Sequence, residues 1–444
     1  MLEHLDDPSP PEPTAQALGT VLERSYRLRR RRSLSAATGA GVMALALGVL
    51  IGSVLVRSSA PVSTDFATRA GVATGTAVPL SDLEDVTFVS DSVGFGLAGH
   101  GAQTALAETE NGGDTWQVVQ GDLPAKYPTQ ILFANSTRGY LWGGAPSTDG
   151  ALPLWLTSDG GRRWVEAPIG PVVSDVSAIG SDVWAMVGTC FIGASEPAGS
   201  CPVILEVSVD GGATWAASGS SPPLTESSAL SISDQDVELA RMTNEHAYVL
   251  SFVPNATGTG SSSGQLVFTS DGGQTWSPRS DPCPSRFDFG EQIAGSGTQD
   301  LWLMCASQAS GGTQAKALYR STDGGHNWTL AAAANAPVLS GNVVLPAGGG
   351  LPAGGYVSPY SLGHEDFAVL SPTTAWLFPD RAGVFETSSG GLRWKPVDAL
   401  ANAGFAWGGA GNVVFVNATH GWVCETGTGL WRTSDGESWQ RLGQ

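Results

Sequence analysis

Lysine is almost missing from this 444-residue chain: Lys126, Lys316 and Lys395 are the only three. With 22 basic residues against 41 acidic ones, the formal net charge is −19. Seven arginines and five acids fall in residues 1–57, so the rest of the chain carries 15 basic and 36 acidic residues, a net −21. Such a surface repels phosphate backbones and anionic lipid, which excludes a nucleic-acid binder. Cysteine is also sparse. Five are too few for a disulfide-built scaffold and suit a protein with its own core plus one or two local staples. The six histidines are scattered without zinc-ligand spacing, so no metal site and no cofactor is expected. Helix-period apolar patterning is scarce beyond the N-terminal segment. The many glycines and prolines point to short strands and turns.

One long apolar run is present. Residues 33–56 carry no charge and follow the basic cluster Arg29-Arg30-Arg31-Arg32. About 20 apolar residues span a bilayer core, so this stretch is long enough. The arginines before it predict a cytoplasmic tail over 1–32 and a single-pass anchor at the plasma membrane, with all that follows extracytoplasmic. A cleaved signal peptide would need a shorter apolar region than this one. Residues 57–83, rich in Ser, Thr, Ala and Val, read as a stalk, and 84–444 as the folded domain.

That domain is written in repeats. Leu318-Tyr319-Arg320-Ser321-Thr322-Asp323-Gly324-Gly325-His326-Asn327-Trp328 reads as strand, tight turn, strand. The two glycines supply the positive φ that the turn needs. The same pattern puts Asn111, Asp159, Asp210, Asp271, Asp323, Ser389 and Asp435 in turns that lead to Trp116, Trp164, Trp215, Trp276, Trp328, Trp394 and Trp439. The spacing is roughly 45 to 66 residues. A second column of seven aromatics lies upstream of these turns: Phe95, Tyr140, Trp184, Tyr248, Trp302, Trp376 and Trp422. Most are preceded by a further apolar run. Four strands per unit and seven units predict an all-β, seven-bladed propeller of four-stranded antiparallel blades.

The pattern Ser/Thr-x-Asp-x-Gly-x-x-Trp resembles the Asp-box, or BNR repeat, of sialidases, sortilin-type receptors, xyloglucan-cleaving glycosidases and photosystem II assembly factors. His420-Gly421-Trp422-Val423 and Gly429-Leu430-Trp431-Arg432-Thr433-Ser434-Asp435-Gly436 look most like the last of these. The resemblance implies fold rather than activity, because unrelated functions share the repeat. It also implies a structural role for the box acids, and the Asn and Ser at two boxes suit a turn better than a metal. A sialidase's arginine triad, Tyr/Glu nucleophile and Asp acid find no matching positions here.

The long connections offer a binding face. Extra residues lie near 189–203, 253–265 and 305–316, and the longest inter-blade stretch is about 331–365. All leave the side opposite the Asp-boxes, within one sector, and loops on a rigid scaffold carry most binding. Tyr356, Tyr360, His364 and Glu365 form the most polar aromatic cluster there and are the candidate ligand residues. Cys190 and Cys201 read as a local disulfide, Cys283 and Cys305 as a second pair, and Cys424 as a buried thiol. Gly260-Ser261-Ser262-Ser263-Gly264 fits a nucleophile motif but has no strand-to-helix context. Asp234-Gln235-Asp236 near Glu238 hints at a cation, without the glycine of a calcium loop. The expected function is recognition of a protein or glycan on the long-loop face. The alternatives are a cell-surface glycoside hydrolase, sialidase-like or xyloglucanase-like, and an assembly or signalling factor.

Overall fold

The computed structural model describes residues 74–443 except 101–102, 126–127, 148–149, 190–201, 225–235, 254–262, 286, 288–289, 309–313, 336–349, 355–356, 358–366, 380–382, 398–399, 401–410 and 426. Among the described residues no helix is long and apolar enough to cross a membrane. The expected anchor over 33–56 lies outside them.

The described chain forms seven four-stranded antiparallel sheets. They cover 83–120, 130–166, 172–217, 236–279, 290–334, 367–396 and 411–441. Each sheet uses four consecutive strands in chain order, and the sheets stand round one ring as propeller blades. In blade five the strands are Gly290–Gly295, Leu301–Ala306, Lys316–Ser321 and Thr329–Ala334. The first strand of each blade lies innermost. The turn between the third and fourth strands therefore leaves one face, and second-to-third and inter-blade connections leave the other.

The core lies between blades rather than within them. Seven apolar clusters occur, each joining residues of two neighbouring blades. This explains the unbroken apolar runs of the second strands. All six residues of Leu301–Ala306 are buried, because both faces of that sheet are covered. The seven upstream aromatics are all buried, at most 3 % exposed. Fully burying a side chain of this size contributes roughly 1.5–3 kcal/mol.

The first strands are also tied to one another. Asp85, Gln130, Asp175, Glu238, Gln292 and Asn412 hold the same register in six blades. Asp85 Oδ2 accepts from Ile131 N (3.1 Å), Asp175 Oδ2 from Leu239 N (2.7 Å) and Glu238 Oε2 from Ile293 N (3.0 Å). Each side chain reaches the first strand of the next blade. Glu238, which hinted at a cation in the sequence, is engaged in this latch, while residues 234–235 lie outside the described chain.

The ring closes by packing. Blade seven takes all four strands from the C-terminal end and blade one all four from 83–120. Phe88 stacks on Trp422 with ring centroids 3.6 Å apart. Asn412 Nδ2 donates to Asp85 Oδ1 (2.8 Å) and to Val86 O (2.7 Å), and Trp422 Nε1 donates to Gly112 O (2.9 Å). The end of the segment read as stalk pairs with blade one's outer strand: Gly75 N donates to Val118 O and Val78 N to Trp116 O.

Candidate functional site at the loop end of blade five

The Asp-box residues sit in third-to-fourth-strand turns and are engaged there. Thr269 Oγ1 donates to Asp271 Oδ1 (2.8 Å) and accepts from Gly273 N (2.9 Å). Asp271 Oδ1 accepts from Thr275 N (2.9 Å) and Oδ2 from Thr275 Oγ1 (2.6 Å). Asp323 repeats this with Ser321 and Asn327, Asp210 with Ser208 and Thr214, and Asp159 with Thr157 and Arg163. Asp435 accepts from Glu437 N and Ser438 N. Asn111 Oδ1 accepts from Thr115 N (3.0 Å), and Ser389 Oγ from Arg393 N (2.9 Å), so both substitutes keep the acceptor the turn requires. These donors favour the charged carboxylate. Asn327 and its backbone hold Asp323 at about 2, and Thr214 does the same for Asp210.

The boxes also serve the seams, a role their sequence pattern does not announce. Box glycine carbonyls accept from arginines of the preceding blade: Gly324 O from Arg279 Nε (3.2 Å), Gly390 O from Arg320 Nη1 (3.3 Å) and Gly112 O from Arg432 Nη1 (3.2 Å). Arg320 lies over Trp302 at 4.6 Å and Arg279 over Phe268 at 4.4 Å. Arg320 and Arg432 stand directly before their own boxes and Arg279 follows its box, so no single sequence position marks this role and only the blade register gives it meaning. Trp116, Trp215 and Trp394 fold their indole N–H onto the carbonyl of their own box, and Trp276 and Trp328 donate to the preceding inter-blade connections. Trp164 and Trp439 have a buried Nε1 without a hydrogen-bond partner.

Tyr356, Tyr360, His364, Glu365, Cys190 and Cys201 lie outside the described residues. Cys283 and Cys305 are joined in a disulfide, and Cys424 is a buried free thiol. The disulfide marks a cluster that sequence reading missed. Glu291 pairs in register with Cys305, at the loop end of blade five. Asp281 lies two residues before Cys283, and its Oδ1 accepts from Cys283 N (2.8 Å). Ligand atoms of Asp281, Cys283 and Glu291 all fall within 4.8 Å of one another.

Glu291 is only 5 % exposed, and its Oε2 has no hydrogen-bond partner. Burial, with Asp281 adding to it, pushes the Glu291 carboxyl well above the usual range. Burial likewise raises Asp281 to about 6. The Tyr319 phenol is raised by burial first and by Asp281 second. On the other side of the same sheet end, Lys316 is fully buried and burial lowers it to about 8. Its Nζ donates to Gly354 O (3.1 Å). Beside it, the buried Gln314 amide clasps Val357 through both its carbonyl and its amino group. The Lys316 side thus pins the long connection to blade six. The Asp281 side places two acids together, with no base in ion-pair contact among the described residues. Buried to this degree, Glu291 is not exposed to attack a bound sugar, so the pair suits holding a proton or an ion.

A cleft of about 540 Å³ also lies at the closure seam, lined in part by Leu80, Asp114, Trp116, Thr428 and Arg441.

The chain is similar to several solved structures. YCF48 bound to D1 peptide is 16 % identical over 81 % of this chain and 96 % of that one, with a TM-score of 0.49. The GH74 xyloglucanase from Xanthomonas campestris is 17 % identical over 82 % and 67 %, with a TM-score of 0.38. A PL25 ulvan lyase is 12 % identical over 82 % and 95 %, with a TM-score of 0.45. No known family profile and no curated protein matches the chain.

Proposed function

We propose that this chain is a membrane-anchored, extracytoplasmic binding and scaffold propeller that takes a protein or a glycan on its long-loop face. One observation carries the reading. Every box residue is hydrogen-bonded inside its own turn, and box glycine carbonyls are taken by the neighbouring blade, so the repeated acids are occupied with shape. The chain's longest connections all leave the other face. The uncharged span over 33–56 behind its arginine cluster supports the anchor, and the Cys283–Cys305 disulfide suits an oxidising compartment. The absence of a sialidase residue set favours binding over hydrolysis.

The test is affinity capture from an envelope extract with the full-length protein. It is compared with a variant in which 254–262 and 336–349 are replaced by short Gly-Ser linkers. Capture is expected to fall at least about tenfold in the variant. Unchanged capture places the site elsewhere, and turnover of a sialyl or xyloglucan substrate by the wild type replaces this reading with an enzymatic one.

A further inference from the structure

We propose that Asp281 and Glu291 bind a hard divalent cation of the calcium class, in the seam between blades four and five. Glu291 Oε2 is buried and without a hydrogen-bond partner, and the Asp281 carboxylate shares its neighbourhood. Neither acid forms an ion pair with a described residue. A buried carboxylate is costly unless something compensates it, and a cation compensates two at once.

The geometry suits the occupant. Two oxygens on one cation at ~2.4 Å lie at most about 4.8 Å apart, and the cluster's ligand atoms fall within that limit. The Cys283 sulfur is committed to its disulfide, which leaves an all-oxygen set and disfavours zinc. Asp281 is aimed by the Cys283 N–H on its Oδ1. The space itself depends on Gly264. A Cβ there would collide with Glu291 Oε2 and stand 2.7 Å from Asp281 Oδ2. Water fills the rest of a shell of about six to eight oxygens. When bound, the ion stitches the connection after blade four to the first strand of blade five, directly under the long-loop face.

Chelator-treated full-length protein is titrated with calcium chloride by calorimetry, and its thermal midpoint is followed with and without calcium. One calcium per chain is expected, with a dissociation constant on the order of 0.1–1 mM as in extracellular modules. The midpoint should rise with calcium concentration. Glu291→Gln and Asp281→Asn should each weaken binding at least tenfold and remove the calcium-dependent rise. Should Glu291→Gln fail to fold, Asp281→Asn gives the same reading. A wild type unresponsive up to about 10 mM calcium overturns the proposal. So does an equal calcium response in wild type and both variants, or a Glu291→Gln midpoint raised equally with and without calcium.

Discussion

The acids of the Asp-boxes and the acids of blade five are the same chemical groups in opposite circumstances. Asp210, Asp271 and Asp323 stand at turn tips, each accepting backbone and side-chain hydrogen bonds that hold it ionised. Asp281 and Glu291 stand in a seam where, among the described residues, one backbone N–H serves Asp281 and no base pairs with either acid, and burial pushes them toward the neutral form. The contrast teaches that repetition is a poor guide to chemistry in this fold. The acids that recur are saturated by their own turns, and the pair that does not recur is the one left open to an ion.

Three measurements sharpen that contrast. The largest effect is expected at Gly264, where Val would force a side chain into the space of the Glu291 carboxylate. Overpacking of this kind should lower stability by about 2–4 kcal/mol in urea unfolding. Gly297→Ala, with nothing within 4 Å of the added Cβ, should leave the midpoint unmoved.

The second concerns pH, in chelator. Asp281 rises from an ordinary value near 3.8 to about 6 on folding, so its contribution to stability is full below about pH 4 and lost as pH rises through 6. Glu291 acts in the same direction. The box acids act oppositely. Asp210 and Asp323 are depressed to about 2, so their stabilisation is present above pH 4 and lost as pH falls through 2. Between pH 4 and 6 the seam acids should therefore lower the stability of the ion-free protein as pH rises. Asp281→Asn should remove about 2–3 kcal/mol of the decline between pH 4 and 6. A profile that Asp281→Asn leaves unchanged would break the contrast.

The smallest effect lies in the box itself. Thr269→Val should cost about 1–2 kcal/mol by leaving Gly273 N without its acceptor. Asp271→Asn keeps the acceptor for Thr275 N, as Asn111 does naturally, and should unfold at a midpoint close to wild type.

The fold was legible because two independent columns, the turns and the aromatics, count the same seven units. Blade five's first strand was the exception. Gly290-Glu291-Gln292-Ile293-Ala294-Gly295 breaks its apolar run with two polar residues, one of them the buried acid. The latch column of Asp85, Asp175 and Glu238 was hidden for a related reason. Single acids at the edge of apolar strands look like solvent positions until the strands are aligned, when each proves to reach across a seam. The acid pair was the least legible. Asp281 and Glu291 are ten residues apart with no motif, and only the Glu291–Cys305 register together with the Cys283–Cys305 bond places them side by side.

The closure by packing has a consequence for how the gene is arranged. Each blade is an uninterrupted length of chain, and among the described residues no strand is traded between the two ends at the junction of blades seven and one. The molecule's starting point is thus a matter of order along the polymer, not of architecture. A coding sequence reopened at another inter-blade connection, with a linker bridging the former ends, would wind up into the same wheel.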